Sequence, residues 1–185
     1  YKDGVFKVSA PLLFVIQKQI EQGLDKYADK LIELDVRSKA SGDDYVYIFG
    51  HKVPISESGE IKFNDETSLK YKDQNDLSKK LIKWFLPLIE KRHRYYEQIM
   101  GIKQPYKVRV RKMKTRYGSN SRGTHSITYS SILMHYTTDV IDSVIIHELA
   151  HDSVRDHSTK FYNVVYKYCP NYKALHKRLR KGEFA

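Results

Sequence analysis

Apolar residues at Ile16, Ile20, Leu24, Tyr27 and Leu31 recur every three to four positions and predict a helix over Leu12–Val36, behind a short strand at Val5–Val8. Tyr45–Phe49 and Val53–Ile55 flank Gly50-His51-Lys52 and predict a hairpin, which Ile61–Phe63 extends and in which Pro54 marks a sheet edge. Asp76 is a good N-cap for a long helix through Leu81, Trp84, Phe85, Leu88 and Ile89, kinked at Pro87 and stopped at Gly101. Charged and apolar residues alternate over Lys107–Arg111, the pattern of a half-exposed strand. Gly118, Asn120, Ser121 and Gly123 then predict a turn over Tyr117–Thr124, before a second strand over Ile127–Leu133. From Thr138 to His151 the apolar positions surround the helical axis, so this helix is expected to be buried. Ser158 is a candidate N-cap for a helix carrying Phe161, Val164, Val165 and Tyr168, which Pro170 ends before a basic terminal helix.

A length of 185 residues suits one domain, read as an N-terminal portion over 1–75 and a helix-rich portion over 76–185. The longest apolar run, Leu12–Ile16, has five residues, so no membrane-spanning helix is expected. Cys169 is the only cysteine and cannot form an internal disulfide, and no signal-peptide pattern opens the chain. A cytoplasmic location is the expectation, although Tyr1 is not an initiator methionine. The formal charge is +11, and residues 91–122 hold eleven Lys and Arg against Glu97 alone. That basic face reads either as a site for nucleic acid or an acidic partner, or as a solvated surface. No nucleic-acid motif accompanies it.

The chemistry lies in His147-Glu148-Leu149-Ala150-His151, an H-E-x-x-H motif on the buried helix. The i, i+4 spacing sets both imidazoles on one face, where they can converge on one zinc ion, with Glu148 beside the ion as general base for peptide hydrolysis. Random placement would give this motif with a frequency of only about 0.016 in a chain of this composition. A catalytic zinc usually takes a third protein ligand. His157 is the first choice, with Asp152, Asp156 and His176 as substitutes; Glu183 is the only glutamate after Glu148. The His147-to-His157 spacing also occurs in metzincins, but Val154 stands where those have glycine, and no methionine follows the motif. Asp156 is expected to supply a left-handed residue that swings His157 back. His125, His135, Tyr129, Tyr136, Tyr162 and Arg116 are secondary candidates for the cleft lining, and Cys169 reads as a small core residue.

Taken together, Thr115-Arg116-Tyr117-Gly118-Ser119, Val140-Ile141-Asp142, the HELAH segment, His157-Ser158-Thr159-Lys160-Phe161-Tyr162 and Tyr168-Cys169-Pro170 resemble the YgjP-like metallopeptidases, relatives of SprT-like zinc proteases. The resemblance is strongest over 107–175. It implies a minimal zincin-like α+β fold, a small antiparallel sheet packed on the HExxH helix, one zinc ion held by His147, His151 and His157, and Glu148 as catalytic base. The chain departs from the family's pattern at Tyr117, Asn120, Ser130-Ser131 and Tyr162, where the family has tryptophan, cysteine, an asparagine–tryptophan pair and tryptophan. Peptide or protein substrates follow from the resemblance. The competing readings are a nucleic-acid-associated module whose proteolysis is limited to bound proteins or absent, and a zinc site that only supports the fold.

Overall fold

The computed structural model describes residues 35–36, 39–56, 59–63 and 67–185; the expected Val5 strand and nearly all of the expected helix over Leu12–Val36 lie outside the described residues. Strands β1 (Tyr45–Ile48) and β2 (His51–Pro54) form the expected antiparallel hairpin. Its turn is two residues long, with Phe49 at φ 49° and Gly50 at φ 83°, so His51 and Lys52 belong to the strand and not to the turn. Two left-handed residues match the twist of the flanking strands, which a longer loop would not require. Strand β3 (Glu60–Lys62) pairs with β4 (Ser68–Lys70) and forms its own hairpin instead of widening the first.

Helix α1 spans Gln74–Met100 and runs unbroken through Pro87. Its N-cap is Asp73, not Asp76: Asp73 accepts from the Asp76 backbone N–H at 2.8 Å, while Asp76 in turn accepts from Lys72 N at 3.0 Å. Two carboxylates three residues apart satisfy donors reciprocally, so the pair fixes the boundary three residues earlier than Asp76 alone suggests. The helix stops at Gly101 in the left-handed region, φ 72°. Its buried stripe, Leu77, Leu81, Phe85, Ile89, His93 and Glu97, steps by four residues and turns polar at the end. There His93 lies 2.8 Å from the Tyr129 hydroxyl and 3.0 Å from Glu97, which also accepts from Arg94 and the Tyr106 backbone N–H.

Strands β5 (Lys107–Arg111), β6 (Gly118–Ser121) and β7 (Ser126–Ser130) form one sheet in the order β5-β7-β6. The β6–β7 pair is antiparallel and the β5–β7 pair parallel. The expected turn over Tyr117–Thr124 is therefore half strand: Gly118–Ser121 pairs with β7 because the central strand supplies a ladder that outweighs the poor strand propensity of Gly, Asn and Ser. The strand at Ile127 likewise stops at Ser130, and Ser131–His135 is a 3₁₀ turn.

Helix α2 (Thr138–Ala150) carries the HELAH motif and is buried on nearly every side, with Val140, Ile141, Ile145, Leu149 and Ala150 fully enclosed. It packs against α1, β6, α3 (Thr159–Tyr168) and α4 (Tyr172–Lys181). Ser158 stands at the N-cap position of α3 without a side-chain cap bond. The architecture is α+β: among the described residues, small sheets and four helices, three of them packed around the motif helix. The basic segment is divided by the fold: Arg92 pairs with Asp142 and Arg94 with Glu90 and Glu97, while Lys103, Lys107, Arg111, Lys112 and Lys114 remain exposed.

Candidate metal centre and cleft

The i, i+4 spacing on α2 sets the rings of His147 and His151 5.2 Å apart. After Ala150 the helix unwinds through bonds from Asp152 N to Leu149 O, Ser153 N to Ala150 O and Val154 N to Ala150 O. These bonds spread the reversal over several residues, and the expected left-handed Asp156 is not there: among the described residues only Phe49 and His125 are non-glycine residues with positive φ. The loop nevertheless returns His157 to the helix. Its Nε2 lies 3.2 Å from Nε2 of His147, and one nitrogen from each of His147, His151 and His157 falls within 4.8 Å of the other two. Beneath them sits the fully buried ring of Phe161, 4.9, 4.5 and 4.8 Å from the rings of His147, His151 and His157.

The outer ring nitrogens are held as well. Nδ1 of His151 is 3.1 Å from the Val154 carbonyl, which can only accept, so Nδ1 carries the proton and Nε2 keeps its lone pair. Nδ1 of His147 lies 2.8 Å from the Tyr172 hydroxyl on α4. Burial, then the neighbouring His151, His157 and His176, push His147 down to about 3, and burial lowers His151 too. Both rings are therefore neutral near pH 7, as ligation needs. Two ligands at about 2.0–2.1 Å from a tetrahedral ion stand about 3.3 Å apart, close to the His147–His157 separation. Three imidazoles fit zinc and disfavour calcium or magnesium, which take oxygen ligands.

Glu148 points from α2 toward β6 and is only 6% exposed. Space for it exists because residue 118 is glycine: a Cβ there would lie 2.4 Å from Glu148 Oε1. Burial raises its carboxyl to about 7, against the lowering influence of the Asn120 backbone N–H and the Arg116 charge. The Asn120 side chain donates to the Glu148 backbone carbonyl at 2.8 Å, tying β6 to α2. Arg122, just beyond β6, donates to the carbonyls of His151 and, at 2.7 Å, Asp152. Between β6, α2 and α4 lies a cleft of about 690 Å³ that opens on His147, Glu148, His151 and His157.

Of the other candidates, Arg116 and His176 line this cleft. Asp152 accepts from the Tyr106 hydroxyl at 2.8 Å, and Asp156 bonds Ser158, which with the N–H groups there holds its carboxyl below the usual range. His125 stacks on Tyr106 at 3.9 Å, His135 bonds the Tyr47 carbonyl in the core, and Tyr136 donates to the Leu179 carbonyl. Tyr129 is fully buried, and the Tyr162 ring lies 6.4 Å from that of His157 without lining the cleft. Cys169 is buried, and desolvation pushes its thiol up, away from nucleophilic use. Sequence reasoning missed Gly118, Arg122, Phe161 and Tyr172 as parts of the site. The F in the H-S-x-x-F segment was a signal for Phe161; no spacing rule links Tyr172 to His147.

Two crystal structures of metallopeptidase zymogens resemble the chain. Abylysin of Pyrococcus abyssi is 27% identical, with 49% of this chain and 90% of that chain covered at a TM-score of 0.46. Jannalysin of Methanocaldococcus jannaschii is 19% identical, with 49% and 96% covered at a TM-score of 0.44. No curated protein matches significantly. The model of the YgjP-like metallopeptidase domain matches residues 4–182. With the match running almost from end to end, the kinship that the motif residues suggested is settled, and this chain belongs to the YgjP-like family of metallopeptidases.

Proposed function

We propose that this metallopeptidase hydrolyses peptide bonds with one zinc ion held by His147, His151 and His157 and with Glu148 as general base, the whole of 1–185 acting as one domain. The observation that supports this reading best is the common focus of three imidazole nitrogens beside a buried carboxylate. Zinc held there would supply a Lewis acid for the scissile carbonyl and a water acidified to a pKa of around 7. Glu148 takes a proton from the attacking water and returns it to the leaving amine nitrogen. Burial holds this carboxyl above the usual carboxylate range, which makes it a stronger base toward that proton. Tyr172 and the Val154 carbonyl hold the outer nitrogens of His147 and His151, fixing ring orientation. Among the described residues β6 pairs only with β7, and its Gly118, Ser119 and Asn120 line the cleft, so an extended substrate can pair with its free edge.

Glu148→Gln tests the mechanism. With zinc retained, as checked by elemental analysis, cleavage of an unstructured protein substrate should fall by about 10²- to 10⁴-fold. Undiminished cleavage defeats the role given to Glu148. A second reading, a nucleic-acid-associated protease, draws on the exposed Lys103, Lys107, Arg111, Lys112 and Lys114. It requires binding whose log affinity falls steeply with log salt, and absence of binding at low salt removes it.

A further inference from the structure

The lining of the cleft is strongly cationic. It holds three guanidinium groups, those of Arg116, Arg122 and Arg155, and among the described residues its only carboxylate is the buried Glu148. Arg122 is committed to backbone carbonyls of His151 and Asp152. Arg116 and Arg155 are exposed, and neither forms an ion pair with a described carboxylate.

Their placement is as informative as their charge. Arg116 precedes β6. Arg155 belongs to the loop that begins at Asp152, which Arg122 fastens to the far end of the same strand. Arg116 thus stands at one end of the four-residue strand and Arg155 on the loop fastened to its other end, both lining the cleft in which Glu148 lies over Gly118. An extended peptide advances about 3.3 Å per residue along such an edge, so these groups meet side chains several residues apart on either side of the reacting bond. Beyond Arg116 the charge continues. Tyr117 donates to the Leu179 carbonyl at 3.1 Å, which brings α4 to this end, and His176 is shared with a second cavity lined by Lys173, Lys177, Arg180 and Lys181 against the single carboxylate of Asp35.

Building on the peptidase reading above, we propose that the cleft selects acidic polypeptide, with Arg116 and Arg155 binding Asp or Glu side chains on opposite sides of the scissile bond. A peptide fits better than a nucleic acid strand. Single-strand sites present free aromatic faces to the bases, whereas of the two tyrosines of the lining Tyr172 stacks its ring on His147 at 5.9 Å and Tyr117 meets Tyr136 edge-on at 6.3 Å. The free edge of β6 offers backbone donors and acceptors that a peptide can match. Clustered charge in a concave site also raises the encounter rate of oppositely charged ligands.

Binding and turnover are measured separately. The zinc-loaded full chain carrying Glu148→Gln is titrated with fluorescent dodecapeptides of one sequence whose flanking positions are all Glu, all Gln or all Lys. The Glu peptide should bind about 10-fold or more tightly than the Gln peptide, the Lys peptide most weakly, with the gap narrowing as salt rises. Arg116→Ser with Arg155→Ser should bring the Glu peptide to the Gln level, Arg116→Lys with Arg155→Lys should keep most of the preference, and double charge reversal to Glu should invert the order. The proposal is overturned if the Glu peptide shows no tighter binding, or if its advantage survives in the double serine variant. It is also overturned if a single-stranded thymidine dodecamer displaces the Glu peptide through the same two arginines at lower concentration. Cleavage of the Gln peptide by the unsubstituted chain reports on the peptidase reading alone: charge-selective binding without turnover sinks that reading, and turnover without charge selection sinks this inference.

Discussion

At position 118 a hydrogen atom in place of a side chain decides where the cleft's buried carboxylate can stand. Gly118→Ala would drive a methyl group to within 2.4 Å of Glu148 Oε1, so the carboxylate must move. A displacement of about 1 Å at a reacting group costs roughly 10²-fold in rate, and that loss in kcat is expected with zinc content unchanged. Tyr172→Phe removes the hydroxyl 2.8 Å from His147 Nδ1 and should weaken zinc affinity by about 10-fold, read in a chelator competition. The two α2 histidines and Glu148 were legible from sequence because helical periodicity alone puts 147 and 151 on one face. Gly118 was not, since its importance is a clash with a residue thirty positions later.

Among the elements, β6 and the loop after α2 hold each other in place. The Arg122 guanidinium sits on carbonyls at the negative end of α2, where a cation is favoured by both hydrogen bonding and the helix dipole. Arg122→Ala should free the segment 152–157, raising amide exchange there and lowering zinc affinity through His157, while α2 itself keeps its protection. This coupling explains why a turn-like sequence became a strand. Gly118 to Ser121 has little intrinsic preference for extended structure, and β7 and the Asn120 bond to Glu148 hold it there. The stop of α1 at Gly101 was readable, whereas its start moved to Asp73 because Asp73 caps the Asp76 N–H while Asp76 reaches back to the Lys72 N–H.

For the molecule as a whole, acid resistance depends on histidines that must stay neutral in the interior. His135 donates to the Tyr47 carbonyl, and burial lowers it to about 4 from an unfolded value of 6.5. As pH falls, the unfolded chain takes up this proton first; the stability is full above about 6.5 and is lost as pH drops through 4. His135→Gln can keep an N–H donor and cannot titrate, so Tm should vary less steeply with pH between about 4 and 6.5, measured by thermal melts. Parallel curves for the two proteins would contradict this account.

By itself the sequence determined that a buried helix would carry two imidazoles on one face with a glutamate beside them, because helix geometry is local and a three-to-four-residue period is written into the chain. His157 stood beside Asp152, Asp156 and His176 on the residues alone, since spacing along a loop does not say which side chain turns back. Only the tertiary structure decided that His157 joins the other two over Phe161, that α4 sends Tyr172 to His147, and that β6 closes on Glu148 in a cleft that Arg116 and Arg155 also line. Each of those contacts joins segments whose separation depends on how β7, α1 and α2 pack, and packing is a property of volumes and hydrogen-bond partners brought together, not of order along the chain.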